Sequence, residues 1–364
     1  MKKRIDLFIN SLRGGGAERV CTTLANGFVD EGYRVNLVVL NLDNSIYDKD
    51  LGPEVNLINL NKQHARSAVL AIASYLTKEK PEKVLVFNPQ ISIILILLRN
   101  ILGLKFKIIS RSINTLSKMK EGQKSIWHKY IVDYLFKKFY SKSDLIIAQS
   151  KGMKEDLIQN YNINPKKIEV IYNPVSQRIE ETQKNTCINK RKTDKSNEIL
   201  FVGRLSEQKG LQYLLKSFKV CVELEKDLKL RIVGEGPLEE QLKFKVKQMG
   251  LEEKVAFEGF KEDIIPYYLQ ADVTVLSSVF EGFPNVLVES ISLGTPVVAF
   301  DCPSGPKEII KDGKNGFIVR YLDEKDLSKT IIKSLRFNWD IEEIIKTSHL
   351  YYSKNVQSYY LRIL

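Results

Sequence analysis

Ser277–Pro296 reads SSVFEGFPNVLVESISLGTP, and the architecture of the 364-residue chain can be built outward from it. The apolar run Val273 to Leu276 just before it predicts a short buried strand, and Ser277 to Gly282 is the loop that leaves that strand. Pro284 suits the first position of a helix, where its missing N–H costs nothing, so a helix starts near Asn285. The unpaired N–H groups and positive dipole end of that helix face the region beyond the strand, where an open α/β sheet binds ligands. The expected ligand is a phosphate. Glu281 lies in the loop and Glu289 over a turn inside the helix. One carboxylate can flank the phosphates while the other meets a neutral hydroxylated group, which suits a ribose on one side and a hexose on the other.

The same strand, glycine turn and helix recur on either side. Ile199 to Val202 runs into Gly203-Arg204 with a helix from about Gly210; Leu228 to Val233 runs into Gly234-Glu235-Gly236-Pro237 and a helix over Leu238 to Met249. Val255 to Glu258 ends at Gly259-Phe260, and Pro296 to Phe300 is followed by DCPSGPKEII, in which Gly305-Pro306 opens another short helix. In the first half, Ile5 to Ile9, a turn at Gly14-Gly15-Gly16 and a helix over Ala17 to Phe28 precede strands at Val35 to Leu40, Val84 to Phe87, Lys107 to Ser110, Leu145 to Ala148 and Glu169 to Tyr172. Short apolar strands separated by helix-length segments predict parallel sheets covered on both faces. The triple glycine lacks the G-x-G-x-x-G spacing of dinucleotide folds, which disfavours NAD. Arg204 at a strand end and Lys209 before a helix can converge on one diphosphate, stabilising the charge that grows as a leaving group departs without need of a metal.

Glu281 and Glu289 enclose seven residues, and this E-x7-E pattern with its internal Gly-Phe-Pro-Asn resembles the retaining glycosyltransferases of family 4. GRLSEQKG at Gly203 to Gly210, GEGP at Gly234 to Pro237 and GGGAE at Gly14 to Glu18 match in the same order, so that the resemblance covers roughly Ile5 to Asp340. It implies the GT-B fold, two Rossmann-like parallel-sheet domains facing across a cleft. It further implies a donor site made by Gly203, Gly259, Phe260, Gly282, Phe283, Pro284, Asn285, Val286, Leu287 and Glu289, with Lys261 also placed for the nucleobase, and Glu281, Arg204 and Lys209 at the reaction centre. Gly14, Gly15, Gly16, Glu18 and Arg111 would then line the acceptor side. The wording DCPSGPKEI is similar to a subgroup that transfers galactose-type or N-acetylhexosamine units from UDP donors in surface-polysaccharide, capsule or O-antigen assembly. One feature departs from the family: where many members carry a His after the strand equivalent to Lys107 to Ser110, this chain reads ISRSINTLS, with Arg111 or Ser112 in that place. Only His64, His128 and His349 exist, so a general-base His is unsupported, and Arg111 can bind an anionic acceptor but cannot take a proton.

Length predicts two domains of about 170 residues. The boundaries read as an acceptor-binding domain over 1–173, a linker over 174–197 without apolar periodicity, a nucleotide-sugar domain over 198–340 and a C-terminal helix in 341–364; the resemblance implies that this helix returns to the first domain. Fifty-six basic against forty-four acidic residues leave a net charge of +12, which favours nucleotides, diphosphate lipids or anionic membrane surfaces. Cys21, Cys187, Cys221 and Cys302 are scattered, which argues against zinc or a disulfide framework and for a reducing cytoplasm. The start, MKKRIDLFIN, is not read as a signal peptide, and the apolar run Ile91 to Leu98 is too short to span a bilayer. Asp48-Lys49-Asp50 is a D-x-D tripeptide ahead of Gly52-Pro53, read as a surface loop and not as a metal site.

Leu104 to Lys142 holds ten Lys/Arg against Glu121 and Asp133, and Trp127, Tyr130, Tyr134, Phe136, Phe139 and Tyr140 interleave with its lysines. Two readings stand: contact with the headgroups of an anionic membrane, or a buried aromatic face with a solvated basic edge. Nucleic acid is not favoured, since no recognised module surrounds the patch. With these features, the resemblance implies a cytoplasmic, metal-independent retaining hexosyltransferase peripheral to the inner membrane face. It would use a UDP-sugar, need no cofactor, and act on a saccharide or polyprenyl-diphosphate-linked acceptor. An epimerase of UDP-N-acetylhexosamine and a non-catalytic nucleotide-sugar-binding module are the competing readings.

Overall fold

The computed structural model describes residues 3–112, 115, 117, 133–185 and 196–364. The chain divides into two compact units, Met1–Ser176 with Ser353–Leu364, and Gln177–Tyr352.

The first unit is a seven-stranded parallel sheet ordered β3-β2-β1-β4-β5-β6-β7. The strands are β1 (Arg4–Ile9), β2 (Arg34–Val39), β3 (Asn56–Asn59), β4 (Lys83–Val86), β5 (Lys107–Arg111), β6 (Leu145–Ala148) and β7 (Ile168–Val170). Alternation sorts the side chains of β1. Ile5, Leu7 and Ile9 pack under the helix Gly16–Asp30 and the C-terminal helix Ser353–Ile363, while Phe8 joins the opposite core with Ile72, Leu76, Ile91 and Leu95. The carboxylate inside that strand, Asp6, is fully buried and satisfied by Arg4 at 2.7 Å and the Tyr75 hydroxyl at 2.5 Å.

The second unit is a six-stranded parallel sheet ordered β10-β9-β8-β11-β12-β13. Its strands are β8 (Glu198–Val202), β9 (Lys229–Val233), β10 (Val255–Gly259), β11 (Val273–Leu276), β12 (Val297–Phe300) and β13 (Gly316–Val319). Ile199, Phe201, Leu230, Ile232, Val273 and Val275 build the core with the helices Leu211–Leu224 and Glu324–Arg336. From β8 the chain winds outward through β9 and β10; from β11 it winds the other way through β12 and β13. The strand order therefore reverses between β8 and β11, and a crevice opens beyond their carboxyl ends. In the first unit the reversal falls between β1 and β4, just ahead of the triple glycine.

The boundaries differ from those read off the sequence. Gln177–Asn185, inside the expected linker, is a helix of the second unit, held by buried Ile179 and by a hydrogen bond from Tyr352 to Gln183. A single apolar anchor produces no periodicity, which is why the helix is invisible in the sequence. The remainder of that stretch, 186–195 with Cys187, lies outside the described residues. At the other end, the helix Ile341–Lys346 also belongs to the second unit, and only the segment from Ser353 packs on the first.

Candidate active site

The loop after β8 and the loop after β11 meet at the crevice of the second unit. The Val279 amide donates to the Gln208 carbonyl at 2.8 Å, the Gln208 side-chain amide to the Phe280 carbonyl at 3.0 Å, and the Ser277 hydroxyl to the Lys209 carbonyl at 3.0 Å. Gly210 sits at φ +59 with no room for a side chain, because a Cβ would stand 2.2 Å from the Ser277 carbonyl oxygen. Gly234, at φ +133, is pressed equally hard against the Gly203 carbonyl, at 2.1 Å. A third loop, after β12, closes the set: the Glu281 amide donates to the Pro303 carbonyl at 3.2 Å and the Ser304 hydroxyl to the Gly282 carbonyl at 2.9 Å.

These clamps place Glu281. Its Oε1 accepts from Lys209 Nζ at 2.6 Å and from the Ser278 hydroxyl at 2.6 Å, with the carboxylate almost entirely out of water. The Lys209 stem lies over Gly203, where a Cβ would come 3.5 Å from its Cε. Arg204, the next residue, is exposed, and its guanidinium makes no hydrogen bond or ion pair among the described residues. A fixed ammonium and an available guanidinium thus adjoin one strand end. Burial pushes the nearby Cys302 thiol up, with Glu281 adding and Lys209 opposing, so it stays protonated.

The helix Asn285–Ser292 begins as expected, but Pro284 stands one place before it as the cap, with φ −79 and ψ 91. The Leu287 N–H already donates to the Pro284 carbonyl at 3.0 Å, and the Leu287 side chain is fully buried. The Leu287 amide, expected to serve a phosphate, is thus engaged within the first turn of the helix. Phe283 is buried, with its ring 5.6 Å from Tyr351. Glu289 is buried, and its Oε2 accepts from the buried Tyr268 hydroxyl at 3.0 Å.

Gly259 turns the chain at φ +70, and the half-exposed Phe260 follows. The Phe260 amide donates to Glu235 Oε1 at 3.1 Å, and Lys261 is 3.7 Å from Glu258, so two of the groups expected at a nucleobase have protein partners. Tyr268, Ser278, Gln208 and Glu235 were not singled out from the sequence. A hydroxyl three residues before Glu281 was a readable signal for Ser278; the others act across strand connections and leave none.

In the first unit the triple glycine caps the helix Gly16–Asp30, and the Glu18 carboxylate folds back against Gly15. Burial raises the pKa of Glu18 above its ordinary value, with a backbone hydrogen bond opposing. Arg111 corrects the sequence reading. It is 1% exposed, lies 5.1 Å over the Phe87 ring, donates from Nε to the Tyr360 hydroxyl at 3.1 Å and bonds Asn173, while its Nη1 has no hydrogen-bond partner among the described residues. It is a fastening for the C-terminal helix, because the strand end on which it sits is roofed by Tyr360. His64 stands exposed at the start of a short 3-10 turn and His349 lies against Tyr352; His128 is outside the described residues. Asp48 to Asp50 lie in a turn, where Asn26 bonds the Asp50 carbonyl at 2.8 Å.

Of the aromatic and basic stretch, 118–132, with Trp127 and Tyr130, is outside the described residues. In the described part, Phe136 and Tyr140 stack at 4.0 Å in the core, whereas Tyr134 is 58% exposed. Lys138 sits 5.5 Å over the Tyr134 ring, and the exposed Lys137 and Lys142 lie over Tyr161 and Phe139. No helix among the described residues is long and apolar enough to cross a membrane.

Residues 183–348 match the family model of glycosyl transferases group 1, and residues 14–177 match that of glycosyltransferase family 4. The chain is 32% identical to an N-acetylgalactosamine-N,N'-diacetylbacillosaminyl-diphospho-undecaprenol 4-alpha-N-acetylgalactosaminyltransferase of Campylobacter jejuni, over 89% of this chain and 88% of that protein. It is 27% identical to an amylovoran biosynthesis glycosyltransferase of Erwinia amylovora, over 88% of this chain and 86% of that protein. The crystal structure of Anabaena HepE in complex with UDP-glucose superposes with a TM-score of 0.77 at 18% identity, covering 99% of this chain and 100% of that one. Two parallel Rossmann-like sheets, paired glutamates at the second switch point and these matches make the chain a member of glycosyltransferase family 4 with the GT-B fold.

Proposed function

We propose that the protein transfers a hexose or N-acetylhexosamine, with retention and without a metal, from a UDP-sugar to a lipid-linked saccharide in glycan assembly. The observation that carries this is the Lys209–Glu281–Ser278 cluster beside Gly203-Arg204 at the switch point of the second unit. Arg204 and Lys209 would take up the negative charge that builds on the leaving diphosphate, joined by the helix amide of Val286. Glu281 would hold hexose hydroxyls or support positive charge on the ring, and Glu289 would accept from two ribose hydroxyls. No second carboxylate is needed as a nucleophile if the acceptor attacks the face from which the diphosphate leaves, its proton passing to the departing phosphate oxygen. The Campylobacter relative's name specifies an undecaprenyl-diphosphate acceptor and an N-acetylgalactosaminyl donor group, which supports this class of substrates.

Thermal-shift titration with UDP, GDP and ADP, then with UDP-sugars, tests the donor, since a ligand bound only by the folded state raises the melting temperature. An NMR time course on donor alone separates transfer from epimerisation: an epimer appearing without acceptor would replace the transferase reading. A UDP-binding protein whose transfer and donor-hydrolysis rates were untouched by Glu281→Ala would be a binding module. The exposed Tyr134 and its lysines supply an anionic-membrane contact for a peripheral enzyme acting on such an acceptor.

A further inference from the structure

We propose that Tyr268 is a positioning residue that sets the Glu289 carboxylate, and through it the donor ribose; the inference rests on the donor reading above. A carboxylate only 3% exposed must have its lone pairs met by hydrogen bonds, and one of them goes to the Tyr268 hydroxyl at 3.0 Å. A phenol suits this task better than a cation. It fixes the carboxylate's orientation through a rigid ring yet leaves the negative charge in place, so the group still accepts strongly from vicinal hydroxyls.

The tyrosine is itself held. Thr295 Oγ1 donates to its carbonyl at 2.6 Å, and Ser290, next to Glu289, donates to the Thr295 carbonyl at 2.9 Å and shares a hydrogen bond with the Thr274 hydroxyl at 2.8 Å. The helix Ile265–Gln270, which carries Tyr268, is thereby locked to the helix Asn285–Ser292 and to β11. Tyr268 also follows closely on Gly259–Lys261, the segment that the family resemblance places at the nucleobase. One hydroxyl therefore ties the base-side segment to the ribose-side carboxylate.

Tyr268→Phe keeps the ring and its packing and removes only the donor. Calorimetric titration would use whichever of UDP, GDP and ADP binds most tightly, together with its 2′,3′-dideoxyribose analogue. The wild-type protein should prefer the natural nucleotide. Tyr268→Phe should weaken that nucleotide about tenfold, as expected for a hydrogen bond to a charged group, and leave the dideoxy analogue within about twofold. In turnover the loss should appear in KM for the donor, with kcat nearly unchanged. Equal weakening of both nucleotides would reduce Tyr268 to scaffolding and overturn the proposal, as would unchanged binding of both. A wild-type protein that did not distinguish the nucleotide from its dideoxy analogue would remove Glu289 from the ribose, defeating the donor reading itself and the inference with it.

Discussion

Lys209 Nζ lies 2.6 Å from Glu281 Oε1, in a contact 72 residues apart in sequence that joins the first and fourth strand loops of the second unit. The two side chains are 17% and 7% exposed, so the pair is screened little by water. The ammonium has three donors, and one bond to Glu281 orients it without exhausting it.

Lys209→Ala should lower kcat by about 100-fold or more, because a preorganised charge at the leaving group acts mainly on the transition state. Ser278 still supports the abandoned carboxylate, so the stability loss should stay within about 1–3 kcal/mol, read by denaturant unfolding. A kcat within threefold of wild type would remove Lys209 from the reaction centre.

Gly210→Ala should destabilise the second unit and raise KM for the donor, since its Cβ would meet the Ser277 carbonyl at 2.2 Å and its backbone is at φ +59. Gly32→Ala is the comparison, because at φ +80 nothing stands within 4 Å of its Cβ and it carries only the backbone strain of about 1 kcal/mol. Melting temperatures of the two variants that fell equally would show that the loop yields without cost.

Tyr360→Phe should cost about 1 kcal/mol by leaving a second Arg111 nitrogen, Nε, without a partner, whereas Arg111→Met together with Tyr360→Phe should cost less than the sum of the two single changes. The double-mutant cycle is read by denaturant unfolding. Arg111→Met should also keep acceptor KM within a few-fold. A large rise in that KM at unchanged stability would return Arg111 to the acceptor side.

Glu18 adds a pH dependence of definite sign. Burial raises its folded-state pKa above the ordinary 4.5. Between those two values the folded state holds a proton that the unfolded chain has released, so stability falls as pH rises through the window and stays lower above it. Glu18→Gln should flatten that part of the melting-temperature profile and raise the melting temperature at neutral pH. A profile identical to wild type would place the carboxylate in water.

Replacing Lys137, Lys138 and Lys142 together by Glu should abolish flotation with phosphatidylglycerol liposomes at low salt, each lysine contributing about 1 kcal/mol near such a surface. Flotation unaffected by the triple change would exclude this patch as the contact.

Sequence alone determined the two parallel sheets and the place of the candidate site within them. Strand and helix periods are local, the glycine turns mark strand ends, and a carboxylate pair flanking a helix start is readable from spacing. It also singled out Lys209, Glu281 and Glu289 as candidates. What it left open depends on pairs far apart in the chain. The strand order that puts β8 beside β11, the use of Lys209 by Glu281, and the burial of Arg111 under Tyr360 arise only when distant segments pack. Arg111 shows the reason most directly: a basic residue at a strand end can face ligand or protein, and the choice was made by a helix nearly 250 residues later, which no local pattern around Arg111 encodes.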